Sequence, residues 1–391
     1  MRQAWQGAFG ALIAFGSYTA TAHAQLMIVG NDEKLTIDDA GKSVPHEPGH
    51  DTLSIIDISK PEAPKIVASI PLMNTIAGPP TNLAIHPSGE IALVANSLNP
   101  EPEGSGWKNV PDDKVFVIDL KANPPAIIAT VNAGKQVSGM AIAPKGDIAL
   151  AANRAGGSIS VLSIKGKEVK VVDTVEIGAA GDQVSAVAIT PDGRRALAVK
   201  AAANKVALLS IDGEKVTYDK RDLPPGIYPY NIAVTPNGKM AITADNGAGG
   251  GSDGNVDAVS IIDLEADPPR IIDHVVIGDA PEGLAISPKG DLAVAVLLQG
   301  SNADKKAFYY HPTGAVVALK IDGKKVTKVG EVQVGALPEG VAFSPKGDYL
   351  YVGNFLDQDM SVLKVDGDKI TDTGARFKLP GHPASMRAGP Q

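Results

Sequence analysis

The chain has 391 residues, a formal net charge of -8 at pH 7 and no cysteine. An excess of acidic residues without clustered lysine or arginine argues against binding to nucleic acid or anionic membranes, and the lack of cysteine excludes disulfide bonds. Glycine (42) and proline (29) make up 71 of 391 residues and separate short apolar segments, which favours a turn-rich β protein.

The first 24 residues predict a secretory signal peptide. Arg2 precedes an apolar run, GAFGALIAF, at residues 7–15, and Ala22-His23-Ala24 is a small-residue cleavage site before Gln25. The rest of the chain has no apolar run approaching the roughly 20 residues that span a bilayer. We therefore expect cleavage after Ala24 and a mature chain, residues 25–391, that forms one periplasmic or secreted domain without a membrane span.

Residues 46–50 read HEPGH, which matches the letters of the zinc-protease pattern H-E-x-x-H. That pattern functions on a helix, where its two histidines share one face. Pro48 and Gly49 disfavour a helix at this position, because proline removes a backbone donor and clashes with the preceding turn. We expect a loop that carries two histidines rather than a metalloprotease motif.

Most of the chain repeats one pattern. Six segments carry it: NLAIHPSGEIALVAN from Asn82, GMAIAPKGDIALAAN from Gly139, AVAITPDGRRALAVK from Ala186, NIAVTPNGKMAITAD from Asn231, GLAISPKGDLAVAVL from Gly283 and GVAFSPKGDYLYVGN from Gly340. A weaker seventh segment, SMRAGP, spans residues 385–390. The aligned prolines are spaced 45 to 57 residues apart: Pro87, Pro144, Pro191, Pro236, Pro288, Pro345 and Pro390.

Each repeat predicts four strands. The first strand runs into the proline, and the P-x-G sequence then makes a hairpin turn, because proline presets φ and glycine accepts positive φ. An alternating second strand such as DIALAAN, a third such as KVFVIDL and a fourth such as IIATVNAG follow. Four strands at this period predict an all-β fold, namely a seven-bladed β-propeller with four antiparallel strands per blade.

The phase of the repeats predicts how the ring closes. Residues 26–73 supply second, third and fourth strands but no first strand, while residues 382–390 supply a first strand and nothing after it. We expect the C-terminal first strand to join the N-terminal strands two to four in a single blade. Closure of this kind removes the edge strands that would otherwise pair with other chains.

The first strands carry two columns of side chains. One column is bulky: Leu83, Met140, Val187, Ile232, Leu284, Val341 and Met386. The next is small, with Ala84, Ala141, Ala188, Ala233, Ala285 and Ala342, until Arg387 takes the last place. Because adjacent residues of a strand face opposite sides, each bulky residue should pack on the alanine of the neighbouring blade. Arg387 reflects either relaxed packing in a terminal strand or an anion ligand directed toward the channel.

The segment YLYVGNFLDQDMSVLKVDG at residues 349–367, with VFVIDL and SIIDL elsewhere, resembles the YVTN class of seven-bladed propeller repeats. The resemblance covers essentially the whole mature chain. It implies a propeller fold and an envelope setting, and the class includes surface-layer propellers and lactonase-like enzymes. It implies no catalytic residues, because no catalytic set of those relatives maps onto this sequence.

Four connections between second and third strands are long, whereas three others contain only a few residues. The long ones span residues 31–51, 97–113, 246–257 and 298–314. In this strand order they share the face of the channel mouth with the connections from fourth to first strands. We therefore expect binding or catalytic groups on this loop-rich face.

Two groups of side chains are candidates for a site on the loop-rich face. The candidates for ligand binding are Trp107, Tyr228, Tyr230, Tyr309, Tyr310 and Arg387, and the histidines are His46, His50, His311 and His382. Alternatively, each aromatic residue caps a blade end and each histidine stabilises its own loop. A divalent metal on His46 and His50 would need a third donor from His311, His382 or Glu47.

Glu282 and Glu339 hold the same position in adjacent repeats, PEGLAISP and PEGVAFSP. The equivalent residues elsewhere are Thr81, Ser138, Ser185, Tyr230 and Ala384. Two neighbouring carboxyl groups near the channel would raise each other's proton affinity and act as acid and base, or would bind a cation. The alternative is that each carboxylate only accepts backbone hydrogen bonds in its turn.

The sequence favours two functions. The leading hypothesis is an exported propeller that binds a small molecule or a protein partner at the loop-rich face, since that face is enlarged and no complete catalytic motif is present. The alternative is a lactonase-like hydrolase or lyase in which the four histidines and two glutamates act as acid and base, with or without a metal. A purely structural envelope protein, which would lack a pocket, is a third hypothesis.

Overall fold

The computed structural model describes residues 25–75 and 77–389. The predicted signal peptide and Pro390 therefore lie outside the described residues. Within them the chain is almost entirely β-structure, and the single helix is a short 3-10 turn, η1, at Ala180–Asp182. No helix in these two segments is long and apolar enough to cross a membrane.

Seven four-stranded antiparallel sheets form the blades, and each sheet extends from an inner strand at the channel to an outer strand. In that order, blade 1 contains β32 (His382–Ala388), β1 (Leu26–Asp32), β4 (Thr52–Asp57) and β5 (Lys65–Pro71); blade 2 contains β6 (Leu83–Ile85), β7 (Ile91–Ala95), β10 (Lys114–Asp119) and β11 (Ala126–Asn132); blade 3 contains β12 (Val137–Ile142), β13 (Ile148–Asn153), β14 (Ser158–Lys165) and β15 (Glu168–Glu176). Blade 4 contains β16 (Val184–Ile189), β17 (Arg195–Lys200), β18 (Lys205–Asp212) and β19 (Lys215–Leu223); blade 5 contains β20 (Pro229–Val234), β21 (Met240–Asp245), β22 (Asp257–Asp263) and β23 (Arg270–Gly278). Blade 6 contains β24 (Pro281–Ile286), β25 (Leu292–Leu297), β26 (Ala315–Asp322) and β27 (Lys325–Gln333); blade 7 contains β28 (Pro338–Phe343), β29 (Tyr349–Asn354), β30 (Asp359–Asp366) and β31 (Lys369–Lys378).

The seven sheets close into a ring. The inner strands contact one another in a cycle that runs β6, β12, β16, β20, β24, β28, β32 and back to β6. In blade 1, β32 pairs antiparallel with β1, with Met27 opposite Ala388 and Asp32 opposite His382. The predicted all-β propeller, its seven blades and its closure by the C-terminal strand are therefore confirmed.

The inner strands pack through the two predicted columns. At five blade interfaces the bulky residue of one inner strand lies in one apolar cluster with the alanine of the preceding blade: Val187 with Ala141, Ile232 with Ala188, Leu284 with Ala233, Val341 with Ala285, and Met386 with Ala342. A small side chain opposite a large one lets neighbouring sheets approach to normal core density. This alternation accounts for most of the inter-blade core near the channel.

The outer strands are interrupted by β-bulges. In blades 1, 2, 3 and 6 one residue of the fourth strand has no partner on the third, in blade 5 a second one, the buried Ile277, is added near the strand end, and in blades 4 and 7 the bulge is longer. The single bulged residues are exposed apolar side chains: Val67, Ile128, Val172, Ile272 and Val329. Because a bulge breaks the regular hydrogen-bonding edge, it disfavours pairing of the outer strands with other chains.

Two of the four long connections contain secondary structure that the sequence did not predict. Residues 31–51 include the hairpin of β2 (Leu35–Ile37) and β3 (Ser43–Pro45), and residues 97–113 form the hairpin of β8 (Leu98–Glu103) and β9 (Gly106–Pro111). The sequence indicated only the length of these connections, and the hairpins form by local antiparallel pairing within them. The HEPGH stretch follows β3 and is not helical, as predicted.

Candidate functional site

The long connections lie on one face and contact one another. Lys305 pairs with Asp39 (Nζ to Oδ1, 2.7 Å), which joins the insertions of blades 6 and 1, and the Gly300 amide donates to Ser252 Oγ at 2.7 Å, which joins those of blades 6 and 5. Strands β3 and β9 bring the hairpins of blades 1 and 2 together. The four insertions thus form a continuous loop-rich face, as expected.

A buried ion pair anchors the insertion of blade 1. The Lys34 side chain is 2% exposed and lies 2.7 Å from Asp51 Oδ2 and 3.4 Å from Asp32 Oδ1. Asp51 Oδ1 also accepts from the Glu33 amide at 2.7 Å, and Asp51 Oδ2 accepts from the Asn74 amide at 3.2 Å. Charge pairing with several hydrogen bonds is what a buried charge requires, so this network fixes where the hairpin leaves the blade.

Each inner strand begins at the loop-rich face. The seven residues that occupy the repeat position of Glu282 and Glu339 lie at these strand starts, and they form a layer that we call the entry ring. Its members are Thr81, Ser138, Ser185, Tyr230, Glu282, Glu339 and Ala384, and all are buried. The ring is mostly polar, and the next position holds asparagine, serine, glycine or alanine before the bulky apolar column begins. Two adjacent blades, 6 and 7, therefore place carboxyl groups side by side in a water-poor layer.

Glu282 and Glu339 are 4% and 2% exposed. Their carboxyl groups interact directly, and because two adjacent negative charges in a buried layer repel each other, a proton on one of them is favoured. Burial raises the pKa of Glu282 to about 7, despite the nearby Arg154 charge, and burial together with the Glu282 charge raises the pKa of Glu339 well above its usual range. Above about pH 7 the pair therefore holds one proton, with Glu339 as the acid and Glu282 as the carboxylate.

The outer contacts of the pair are few. Asn246 donates to Glu282 Oε1 at 3.3 Å, and Glu339 Oε2 is buried without a hydrogen-bond partner among the described residues. No hydrogen bond from a backbone amide to either carboxyl group is present in the described structure, so the alternative of simple turn capping does not account for them. Since buried carboxyl oxygens are nearly always satisfied, Glu339 Oε2 is suited to a water molecule or a substrate hydroxyl group.

A cation lies over the acid pair. The Arg154 guanidinium is 5.7 Å from the Tyr230 ring centroid, and it donates to Gln183 Oε1 and to the Tyr228 hydroxyl, each at 2.9 Å. The rings of Tyr228 and Tyr230 stack at 6.1 Å. Burial and the charge of Glu282 raise the pKa of Tyr230 well above its usual range, with a smaller effect of Glu339. Arg154, Gln183 and Tyr228 are half-buried, so this edge of the cluster is its approach from solvent.

The sequence identified four members of this cluster and missed three. Tyr228, Tyr230, Glu282 and Glu339 were candidates, and the structure brings them together. Arg154, Gln183 and Asn246 were missed because each stands at a strand end in a different repeat, where nothing local distinguishes it. The only signal was an arginine directly after the buried second strand of blade 3, IALAAN.

The four candidate histidines do not join the cluster, and each has local partners or is exposed. His46 Nε2 lies 2.7 Å from Thr36 Oγ1, and His311 Nδ1 lies 2.7 Å from the Thr313 carbonyl oxygen. His382 Nδ1 contacts the Phe355 carbonyl oxygen at 2.7 Å. His50 is exposed. The alternative that histidines stabilise their own loops fits His46 and His311, whereas His382 bonds across to the connection that follows β29 in blade 7.

The predicted metal site on His46 and His50 has no third ligand in the described structure. Across residues 25–75 and 77–389 no group of three or more histidine, aspartate or glutamate side chains is arranged to hold a metal ion. Glu47, His311 and His382 were the candidate third donors, and none of them completes such a group.

The remaining aromatic candidates are spread over separate insertions. Tyr309 packs beside Gly254 of the blade 5 insertion and meets Phe308 edge-on at 5.2 Å between ring centroids. Tyr310 follows in the same insertion, whereas Trp107 lies on β9. The predicted convergence of aromatic side chains therefore holds for Tyr228 and Tyr230 only.

A cavity of about 380 Å³ occupies the channel, and it is displaced from the loop-rich face. All seven inner strands line it, and so do Pro87, Pro144 and Pro236, which are exposed at the P-x-G turns of the opposite face. Arg387 lines this cavity as well. Arg387 therefore projects toward the channel, as one of its two interpretations expected, but it lines a cavity that reaches the P-x-G turns and not the loop-rich mouth where the other ligand-binding candidates were predicted.

The fold and the site place the chain among seven-bladed propellers, and the comparisons agree at the level of fold. The chain is 16% identical to a provisionally assigned 6-phosphogluconolactonase of Bacteroides fragilis (TM-score 0.70, covering 95% of this chain and 99% of that one). It is 17% identical to a periplasmic gluconolactonase of Pseudomonas aeruginosa (TM-score 0.68, 94% and 99%). A protein of unknown function from Desulfotomaculum acetoxidans is 15% identical (TM-score 0.68, 94% and 100%).

No family model matches the sequence, and no curated protein matches it. The chain is therefore a seven-bladed propeller, and solved structures of similar fold include proteins named as lactonases. At these identities the likeness concerns the fold, and the chemistry has to be argued from the residues of this chain.

Proposed function

We propose that the protein is a lactonase-like hydrolase whose acid and base are Glu339 and Glu282. The observation that carries this proposal is the placement of two carboxyl groups side by side in the buried entry ring, where burial and their mutual charge raise the pKa of both. A pair of titratable groups whose environments separate their pKa values provides both an acid and a base near neutral pH. With a pKa of about 7, Glu282 is suited to act as a general base at that pH.

In the proposed reaction the Glu282 carboxylate removes a proton from a water molecule, and the water oxygen attacks the carbonyl carbon of a lactone. The Arg154 guanidinium offsets the charge that develops on the carbonyl oxygen. When the ring C–O bond breaks, the Glu339 carboxyl group donates its proton to the leaving oxygen. The product is the open hydroxycarboxylic acid, and the pair keeps one proton, now on Glu282.

Two further observations support the proposal. The buried and unpartnered Glu339 Oε2 is suited to hydrogen-bond the leaving oxygen or the attacking water. Two solved propellers of similar fold are named as a gluconolactonase and, provisionally, a 6-phosphogluconolactonase. We therefore propose sugar lactones as the first substrate class to test. We also propose that the chain belongs to the YVTN repeat class and is exported to the periplasm or secreted, as its first 24 residues predict.

The test is lactone hydrolysis measured as proton release in weak buffer at pH 7, with δ-lactones of sugar acids with and without a phosphate group. We expect Glu282→Gln and Glu339→Gln to lower the rate by about 100-fold or more, the usual worth of a general acid or base. Glu101→Gln is the matched control, since Glu101 is exposed on β8. Wild-type rates equal to those of buffer, or full activity in both glutamine variants, would refute the proposal.

A second function, binding of a partner at the loop-rich face, is favoured by one exposed side chain. Phe308 in the blade 6 insertion is 93% exposed, an unusual position for a large apolar residue. The partner would be a protein with a complementary apolar recess. The test is recovery of a bound protein from envelope extracts. If this function holds, wild type and the control Lys306→Ser should recover the partner, and Phe308→Ser should not. Equal recovery by all three proteins would refute the function.

A further inference from the structure

The channel cavity contains a charge that the proposed hydrolysis does not use. Arg387 is the only charged side chain among the described residues that line it. Its closest polar contact is the Leu83 carbonyl oxygen, 3.5 Å from Nε, which is at the limit of a hydrogen bond. No carboxylate pairs with it among the described residues. A half-buried guanidinium with a single long hydrogen bond leaves most of its N–H donors without acceptors. An anion in the cavity would supply these acceptors.

The packing of the propeller does not require an arginine at this place. Six inner strands carry alanine at the equivalent position, where the side chain packs against the bulky residue of the next blade. At the boundary of blades 1 and 2, Arg387 takes the alanine position, and its guanidinium turns to the cavity. The substitution of a long cationic side chain for a methyl group is therefore a feature of the channel and not of the core.

The walls of the cavity define the rest of the ligand. Ile142, Ile286 and Phe343 contribute apolar surface, and the one amide in the lining, Asn231, is engaged with the Glu282 carbonyl oxygen (3.1 Å) and the Ile232 amide (2.8 Å). Thr81, the other polar side chain of the lining, keeps a buried hydroxyl oxygen without a hydrogen-bond partner among the described residues, so the lining can accept one further polar group of a ligand. An apolar body with one acidic group would satisfy both the walls and the guanidinium, and a planar carboxylate matches the fork of arginine.

The cavity is accessible from the face opposite the acid pair. Its entrance residues Pro87, Pro144 and Pro236 are exposed, whereas Glu282 and Glu339 at the other end of the inner strands are buried. Its volume of about 380 Å³ is within the range of small-molecule sites, roughly 300 to 1,000 Å³. We infer that the central channel is a binding site for a small amphiphilic carboxylate, held by Arg387 through its carboxylate and by the inner strands through its apolar body.

The site can be tested by calorimetric titration of the mature chain with hexanoate and phenylacetate, and with the uncharged amides of both acids. We expect wild type to bind the carboxylates and to bind the amides at least 10-fold more weakly. Arg387→Met, which keeps the apolar stem, should weaken carboxylate binding by about 10- to 100-fold, the range of a charge-assisted hydrogen bond, and should leave the affinity for the amides unchanged. The carboxylate affinity of Arg387→Lys should lie between those of wild type and Arg387→Met, because lysine keeps the charge and lacks the planar guanidinium fork.

The control is Arg194→Met, because Arg194 is exposed at the blade 4 turn and outside the cavity lining. Equal affinity of wild type for acids and amides, no measurable carboxylate binding, or unchanged binding by Arg387→Met would overturn the inference. If Arg387→Met fails to fold, the comparison of acid with amide on wild type and the Arg387→Lys variant still decide the question. Loss of lactone hydrolysis in the glutamate variants leaves this outcome unaffected, because the two sites share no side chain.

Discussion

Glu339 and Glu282 place interacting carboxyl groups side by side across the boundary between blades 7 and 6, and both residues are buried in the entry ring. The contact arises because identical repeat positions of neighbouring blades meet at the channel axis. In the other five blades this position holds serine, threonine, tyrosine or alanine. The repeat architecture thus converts one residue type in two consecutive repeats into a coupled acid pair.

The acid pair should make stability depend on pH. The pKa of Glu282 rises from 4.5 in an unfolded chain to about 7 in the folded one, so the folded state binds its proton more tightly. The resulting stability is fully present below pH 4.5 and is lost as the pH rises through about 7. By this effect alone the free energy of unfolding of wild type should fall by on the order of 3 kcal/mol between pH 4.5 and 8, as measured by urea unfolding.

Glu282→Gln should remove the Glu282 part of this dependence, because glutamine keeps the shape and cannot ionise, whereas the raised pKa of Glu339 still contributes a loss of stability with rising pH. The exposed control Glu101→Gln should follow wild type. A profile for Glu282→Gln that still falls as steeply as wild type between pH 4.5 and 8 would show that other groups govern the loss.

The charge of Arg154 should affect the pH at which Glu282 loses its proton. Its charge lowers the pKa of Glu282 against the effect of burial, so Arg154→Gln should move the midpoint of the pH dependence upward. The measurement is the pH profile of unfolding, or of lactone hydrolysis if that activity is found. Arg194→Gln serves as the control. A midpoint that stays in place would mean that Arg154 acts only through its contacts with Gln183 and Tyr228.

The fold could be predicted almost completely from the sequence, whereas the site could be predicted only in part. Strand number and ring closure follow from a repeat that recurs seven times. The bulky and small columns of the first strands, which contain Leu284 and Ala233, predicted how the inner strands of neighbouring blades pack on each other. Glu282 and Glu339 were found because the repeat aligns them. Arg154 and Asn246 belong to no shared position, and the position of the cavity depends on how the entry ring fills the channel, which no local pattern encodes.

The Lys34 network should stabilise the whole of blade 1. Lys34→Met would leave the Asp51 carboxylate buried without its cation, and breaking a buried pair in this way costs roughly 3 to 5 kcal/mol. Urea unfolding should therefore report a large loss for Lys34→Met. The exposed Lys42, in the same insertion, is the control, and Lys42→Met should stay within about 0.5 kcal/mol of wild type. Equal stability of the two variants would mean that water reaches Asp51.

The bulges should keep the protein from self-association. Deletion of Val172 restores regular pairing between β14 and β15, since this residue alone has no partner between Val171 and Asp173. The outer edge of blade 3 then becomes continuous, and we expect concentration-dependent assembly by light scattering. Val172→Thr keeps the bulge and lowers the apolar exposure, so it should remain monodisperse like wild type. Assembly by Val172→Thr but not by the deletion would contradict the role given to the bulge.

The central claim is that Glu282 and Glu339 share a single proton above about pH 7, and infrared spectroscopy of the carboxyl C=O stretch measures this directly. The difference spectrum between wild type and Glu339→Gln at pH 8 should contain the band of one protonated carboxyl group in a dry environment, and in wild type a second carboxyl group should gain its proton as the pH falls through about 7. If the spectrum at pH 8 contains only ionised carboxylates from these two residues, the acid pair does not exist in the form described and the proposed chemistry fails with it.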